Sequence, residues 1–135
     1  MGHVTQVCYL DDDQDDHLIF SIAANELNPD ISLYSFYSCP DLIDYLSDQN
    51  RPIPDIIFLD MNMPGNYGNE CLEKIKTVSR VASVPIILYS TGAHPGSVSE
   101  AIEKGASQYV LKSVSLGETK ENLRNILTGF GIPVN

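Results

Sequence analysis

Five times along this chain a short, mostly apolar run is followed by a longer stretch whose apolar residues recur at helical spacing. The runs are Thr5 to Leu10, Ile31 to Tyr37, Ile56 to Leu59, Ile86 to Tyr89 and Gln108 to Lys112. Strands alternating with helices bury their apolar faces best as a parallel sheet with helices on both sides, joined by right-handed crossovers. Ile56-Ile-Phe-Leu59 is apolar throughout, as a strand covered on both faces requires, so it is placed at the centre. The expected fold class is therefore α/β, doubly wound around five parallel strands. A length of 135 residues suits one domain, 1–135, with no room for an output domain after the last helix.

Local signals set the expected boundaries. Leu18, Ile19, Ile22, Ala23 and Leu27 recur at helical spacing and mark the first helix, which Pro29 ends. Ser38 is an N-cap with Pro40 in the first turn behind it, and Leu42, Tyr45 and Leu46 mark the second helix. A loop holding Pro64, Gly65 and Gly68 leads to a third helix with Cys71, Leu72 and Ile75 inward. After a turn with Gly92, Pro95 and Gly96, Ser97-x-x-Glu100 has the form of a capping box, ahead of Val98, Ala101 and Ile102 on one face. Gly105 stops that fourth helix, and Ser115-x-x-Glu118 caps a fifth, whose inner residues are Leu123, Ile126 and Leu127.

Composition removes several classes of function. Eighteen acidic against eight basic residues give a formal charge of −10, which repels nucleic acid and anionic lipid. Lys74, Lys76 and Arg80 form the one basic cluster, read as a solvated helix face. No apolar stretch approaches the roughly 20 residues of a membrane helix, and no basic-then-apolar leader opens the chain, so a cytoplasmic location is expected. Cys8, Cys39 and Cys71 are dispersed, without a Cys-x-x-Cys pair, and are read as buried, reduced thiols. His3, His17 and His94 are equally scattered, which argues against a transition-metal site.

The polar residues that remain fall at one edge of the expected sheet. In open α/β sheets ligands bind beyond the carboxyl ends of the strands. Strand one ends at Asp11-Asp12-Asp13, strand three at Asp60, strand four at Ser90-Thr91 and strand five at Lys112. An acid following four apolar residues, as Asp60 does, is costly unless paired or ligated. Carboxylates converging from neighbouring strands need a hard cation with oxygen ligands among them, and Mg²⁺ fits. Asp11, Asp12 and Asp60 with Lys112 carry a net charge that one Mg²⁺ cancels. Asp15 and Asp16 are read as complements to the helix dipole.

Tyr9-Leu-Asp-Asp-Asp13, Leu59-Asp-Met-Asn-Met-Pro64, Ile87-Leu-Tyr-Ser-Thr91 and Gly105-Ala-Ser-Gln-Tyr-Val-Leu-Lys112, in this order, resemble the receiver domain of two-component response regulators. The resemblance covers nearly the whole chain. It implies the flavodoxin-like (βα)5 fold with strand order 2-1-3-4-5, and Asp60 as acceptor of a phosphoryl group from a histidine kinase or a histidine phosphotransfer protein. It further implies that Asp12 ligates Mg²⁺ directly, Asp11 largely through water, and Asn62 through its backbone carbonyl, with the Asn62 side chain facing incoming water or donor. Lys112 would pair with Asp60 before transfer and with the phosphoryl oxygens after it, as a mobile point charge can. Ser90 would donate to a phosphoryl oxygen and Tyr109 would follow it inward, giving a two-state switch.

Catalysis would be limited to the chain's own phosphorylation and slow autodephosphorylation. The readout would be contact with a downstream protein, or a homodimer, through the face of helix four, strand five and helix five. Three departures from the family pattern stand out. Ser113 follows Lys112 where proline is usual; a cis bond there would cost about 2.5 to 4 kcal/mol, so a trans peptide and a shifted loop are expected. Tyr67 replaces a common acid, with Gly68 beside it free to take a positive φ. Thr91 is larger than the usual neighbour of the hydroxyl and is expected to narrow access. Rival readings fit less well. An FMN binder needs backbone N–H groups and hydroxyls where Asp11 to Asp16 stand. An aspartate-nucleophile phosphatase needs its Asp-x-Asp on strand one. A degenerate receiver that only binds partners would not need the full set of acids, hydroxyl and lysine.

Overall fold

The computed structural model describes residues 4–63, 67–92 and 95–135, with Tyr67 and Pro95 described by backbone alone. Strands β1 (Gln6–Leu10), β2 (Ser32–Phe36), β3 (Ile56–Asp60), β4 (Ile86–Ser90) and β5 (Gln108–Leu111) alternate with helices α1 (Gln14–Leu27), α2 (Cys39–Ser47), α3 (Tyr67–Lys76), α4 (Pro95–Glu103) and α5 (Leu116–Gly129). All pairings are parallel and the order is β2-β1-β3-β4-β5, so β3 is central as its apolar run requires.

Successive residues of each inner strand feed opposite faces of the sheet. Cys8, Leu10, Ile57, Leu59, Ile86 and Leu88 pack with Leu42, Leu46, Cys71, Leu72, Ile75 and Ala101 on one side. Val7, Tyr9, Ile56, Phe58, Ile87 and Tyr89 pack with Phe20, Ala23, Leu27, Leu123, Ile126 and Leu127 on the other. The Tyr9 and Phe20 rings stack at 4.2 Å beneath the acidic end of β1, and Phe58 meets Phe20 edge-on at 5.0 Å. Such aromatic pairs stabilise by about 0.5–1.5 kcal/mol each beyond area burial. They give the β1 end a stiff floor.

Several local expectations change once helices are docked. The buried face of α1 is His17, Phe20, Ala23, Ala24 and Leu27; Leu18 is 59% exposed and Ile22 39%. Apolar residues surround most of this helix, so helical spacing alone does not choose its inner face, and packing against the sheet and α5 does. Ser97 lies inside α4, so the Ser97-x-x-Glu100 box does not form; Glu100 instead accepts from Lys104 and Asn69. Ser115 does cap α5, accepting from Glu118 N–H at 3.3 Å, but its own N–H goes to Ser113 Oγ rather than to Glu118. Ser38 caps α2 as expected. Gly105 ends α4 with φ +110°, and the N–H of Ala106 returns to Ala101 O at 3.0 Å. Gly68 needs no positive φ. It lies in α3, where a Cβ would come 2.8 Å from Met61 Sδ and 3.2 Å from Asp60 O, so its role is close approach of α3 to the β3 end. Pro64, Gly65, His3 and His94 lie outside the described residues. Arg80 is not on α3 but in a short 3-10 turn, donating to Leu46 O at 2.8 Å and Arg51 O at 2.5 Å.

The cysteine expectation is overturned. Cys39 and Cys71 form a disulfide with Cα atoms 5.8 Å apart, and Cys8 alone remains a buried thiol, pushed up to about 12 by burial. Dispersion in sequence hid the pair: α2 and α3 stand side by side on one face of the sheet, bringing the start of α2 against the middle of α3. Closing a loop of this length is expected to contribute about 3–4 kcal/mol. Alkylation of the denatured chain should therefore label one cysteine without reductant and three with it; three in both cases would refute the bridge.

Candidate functional site

The carboxyl edge of the sheet collects the acids, the hydroxyl and the lysine. Asp11 follows β1 and is wholly buried; its N–H donates to Phe36 O of β2 at 3.1 Å. Asp60 ends β3 at 1% exposure, and its Oδ1 accepts the N–H of Asn62 at 2.8 Å. Asp12 is exposed, and carboxylate oxygens of Asp11, Asp12 and Asp60 lie within 4.8 Å of one another. Such a set of oxygens, with few counter-charges, is one that a hard divalent cation satisfies.

The electrostatics differ between the two buried acids. Burial raises the Asp60 carboxyl, and the Asn62 N–H and the Lys112 charge offset this only in part, leaving it at about 6. Burial works on Asp11 in the same sense. There, bonds from Lys112 and the Tyr9 hydroxyl, with the Asp13 N–H at 2.9 Å, outweigh it and hold the carboxyl below its ordinary range. Tyr9, two residues back on the same strand face, thus reaches the site through its hydroxyl, which burial and the Asp11 bond keep protonated. His17 Nε2 donates to the Asp11 carbonyl at 2.8 Å. Neither Tyr9 nor His17 was expected in the site, although the i, i+2 spacing of Tyr9 and Asp11 is a readable signal.

Lys112 arrives on the strand side opposite Asp11. Its N–H donates to Ser90 O at 2.7 Å, continuing the β4–β5 ladder by one residue. No cis peptide occurs among the described residues, so the Lys112–Ser113 bond is trans, as the absent proline implies. The side chain is only 4% exposed and contacts three carboxylates: Nζ lies 2.6 Å from Asp11 Oδ2, 2.8 Å from Asp16 Oδ2 and 3.5 Å from Asp60 Oδ1. Burial alone would lower its pKa; the Asp11 and Asp16 bonds and the Asp60 charge raise it above the ordinary lysine value. Asp60 is the most distant of the three Lys112 partners. One expectation needs correction here. Asp16, read only as a dipole complement, sits in the site because the first turn of α1 passes over the β1 edge. Asp13 takes the cap role, accepting from the N–H groups of Asp15 and Asp16 at 2.8 and 3.1 Å.

Ser90 is fully buried, its Oγ accepting from Gly92 N–H at 3.3 Å. Tyr109 is half-buried against the core on the α2–α4 side of the sheet. The Asn62 side chain is exposed and also bonded. Its Oδ1 accepts both the N–H and the hydroxyl of Thr91, at 2.5 and 3.0 Å, so that the β3 and β4 loops are bridged beside Asp60. A cavity of about 520 Å³ lies apart from Asp60, lined by Gln14, Asp15, His17, Leu18, Ser21, Ser35 and Tyr37.

Residues 8–124 match the family model of the response regulator receiver domain. The transcriptional regulatory protein DesR of Bacillus subtilis is 30% identical over 66% of this chain and 41% of its own. The nitrate/nitrite response regulator NarL of Escherichia coli is 36% identical over 56% of this chain and 34% of its own. The chain thus spans well under half the length of these relatives. The phosphorylated cyanobacterial phytochrome response regulator RcpA has the same fold, with a TM-score of 0.83 at 18% identity over 98% of this chain and 99% of that one. The Mn²⁺-bound response regulator Rcp1 superimposes with a TM-score of 0.79 at 22% identity over 92% of each chain. With the acids, hydroxyl and lysine at the strand ends and a family match over most of its length, the chain belongs to the response regulator receiver domain family.

Proposed function

We propose that this chain works as a phosphoacceptor receiver, taking a phosphoryl group on Asp60 from a histidine kinase or histidine phosphotransfer protein and passing the signal to a protein partner. The observation that carries the reading is the placement of Asp60: a buried carboxylate at the end of the central strand, beside two further acids and one lysine. A carboxylate oxygen of Asp60 attacks phosphorus; the new P–O bond forms as the P–N bond to the donor histidine breaks, and the nitrogen leaves with its electron pair. At about 6, the Asp60 carboxyl is mainly ionised at neutral pH and able to act as nucleophile.

Asp11, Asp12, Asp60 and the Asn62 carbonyl would hold Mg²⁺, and the donor chemistry fits it. When bound, that ion offsets charge on the transferring oxygens. Lys112 supplies the remaining positive charge. Ser90 donates its hydroxyl to a phosphoryl oxygen and so draws in the loop after β4, with Tyr109 following as the second half of the switch. The Asn62–Thr91 bridge restricts the path of water and donor to Asp60. Exposed apolar residues Ile102, Leu111, Val114 and Leu116 suit the α4–β5–α5 side to a downstream protein or a second copy of the chain.

Intact mass after incubation with Mg²⁺ and a small phosphodonor tests the reading. The wild type should gain one phosphoryl group, labile to base and dependent on Mg²⁺, and Asp60→Asn should gain none. Absence of an adduct in the wild type, or an undiminished one in the variant, would overturn it.

A further inference from the structure

Lys112 is shared among three carboxylates, and its two short bonds go to Asp11 and Asp16 rather than to the nucleophile. The two short-bond partners are not equivalent. Asp11 is fully buried and is also held by the Tyr9 hydroxyl and the Asp13 N–H, so its carboxylate is built into the fold. Asp16 comes from another element, is 29% exposed, and its side chain bonds only Lys112 among the described residues. Asp16 is also one of three carboxylates around Lys112, so without it the lysine keeps two partners, Asp11 and Asp60. Asp16 adds a fourth negative charge beside a site that must receive a phosphoryl group. Its effect is therefore on where the Lys112 charge points.

Resting on the phosphoacceptor reading, we propose that Asp16 is a positioning residue that holds Lys112 in the resting state and competes with the incoming phosphoryl group for its charge. A lysine ammonium is a compact charge on a flexible stem, so it redistributes among acceptors by their relative pull. Removing Asp16 leaves Asp11 as the sole short-range rival and shifts Lys112 toward Asp60.

The test is the second-order rate of phosphorylation by a small phosphodonor with Mg²⁺, measured for four proteins. Asp16→Asn should be about fivefold faster than wild type, equivalent to about 1 kcal/mol of transition-state stabilisation. Asp15→Asn removes the same charge one residue away, on an exposed side chain that does not touch Lys112, and should change the rate by less than about twofold under screening. Asp16→Glu, which keeps a carboxylate able to reach Lys112, should return to the wild-type rate. The backbone bond from residue 16 to Asp13 is kept in every variant, so the helix cap is not at issue. The proposal is overturned if Asp16→Asn matches Asp15→Asn, if it is slower than wild type, or if Asp16→Glu behaves like Asp16→Asn. A wild type that takes no phosphoryl group removes the parent reading and this one together; a phosphorylated wild type with indifferent Asp16 variants removes this one alone.

Discussion

Lys112→Met is expected to lower the unfolding free energy at pH 7 by about 3–5 kcal/mol, the usual cost of deleting one partner of a buried ion pair. The methionine fills a similar volume, so the loss is electrostatic. Asp11, fully buried, keeps the Tyr9 and Asp13 bonds but loses its countercharge, and Asp60 loses the cation nearest to it. Without Lys112, Asp11 loses the strongest of the bonds that offset its burial, and the Asp60 carboxyl, already raised, loses a charge that lowers it. A raised acid favours the fold only in its protonated form, so the deficit should be largest near pH 7 and shrink as pH falls toward about 4. In the wild type, Lys112 acts with opposite sign: its raised pKa gives stability fully present below the ordinary lysine value and lost only at strongly alkaline pH. Denaturant titrations of both proteins from pH 4 to 8 measure this. A deficit under about 1 kcal/mol at pH 7, or one that grows on acidification, would show that Lys112 does not carry the charge balance.

Asp60→Asn should do the reverse, stabilising the metal-free fold while abolishing phosphorylation. The Asp60 carboxyl titrates at about 6 in the fold against an ordinary value of 3.8. Folding therefore favours its protonated form. Stability tied to that form is present below pH 4 and lost as pH rises through 6, reaching about 3 kcal/mol at pH 7. The amide, which does not ionise, escapes this loss. In chelator the variant should exceed the wild type by an amount that approaches this figure at pH 7 and vanishes near pH 4. Added Mg²⁺ should narrow the gap, because a ligand bound to the native state stabilises it by about 2.7 kcal/mol at a hundred times its dissociation constant, and the wild type offers the fuller set of carboxylates. A variant less stable than wild type at pH 7 in chelator would contradict the burial argument.

Most of the architecture was legible because it rests on periodicity and on the few residues that interrupt it. The continuous apolar run Ile56–Leu59 announces a strand covered on both faces, and it is the central one. Ser38, Ser115 and Gly105 act within one helical turn of themselves, where local chemistry suffices. Asp11, Asp60, Ser90 and Lys112 were traceable to one edge because each ends an apolar run, and parallel strands place all such ends together. The Ser97 box failed for a related reason. The motif is present, but the helix begins earlier, at Pro95, so the serine falls inside it.

What stayed illegible depends on how docked elements rotate and approach, and no local pattern encodes that. Nothing near Cys39 points to Cys71; two helices on one sheet face bring them together. Apolar residues on most sides of α1 allow two inner faces, and only packing against the sheet and α5 turns Phe20 inward and Leu18 outward. The Asn62–Thr91 bridge joins loops from two strands, and its distances follow from how those strands pair. The same holds for Lys112. Its chemistry as a buried cation at a strand end follows from its place in the chain. Its choice of Asp16 over Asp60 as a close partner is settled by where the first turn of α1 crosses the sheet, a matter of ångströms between segments far apart in sequence.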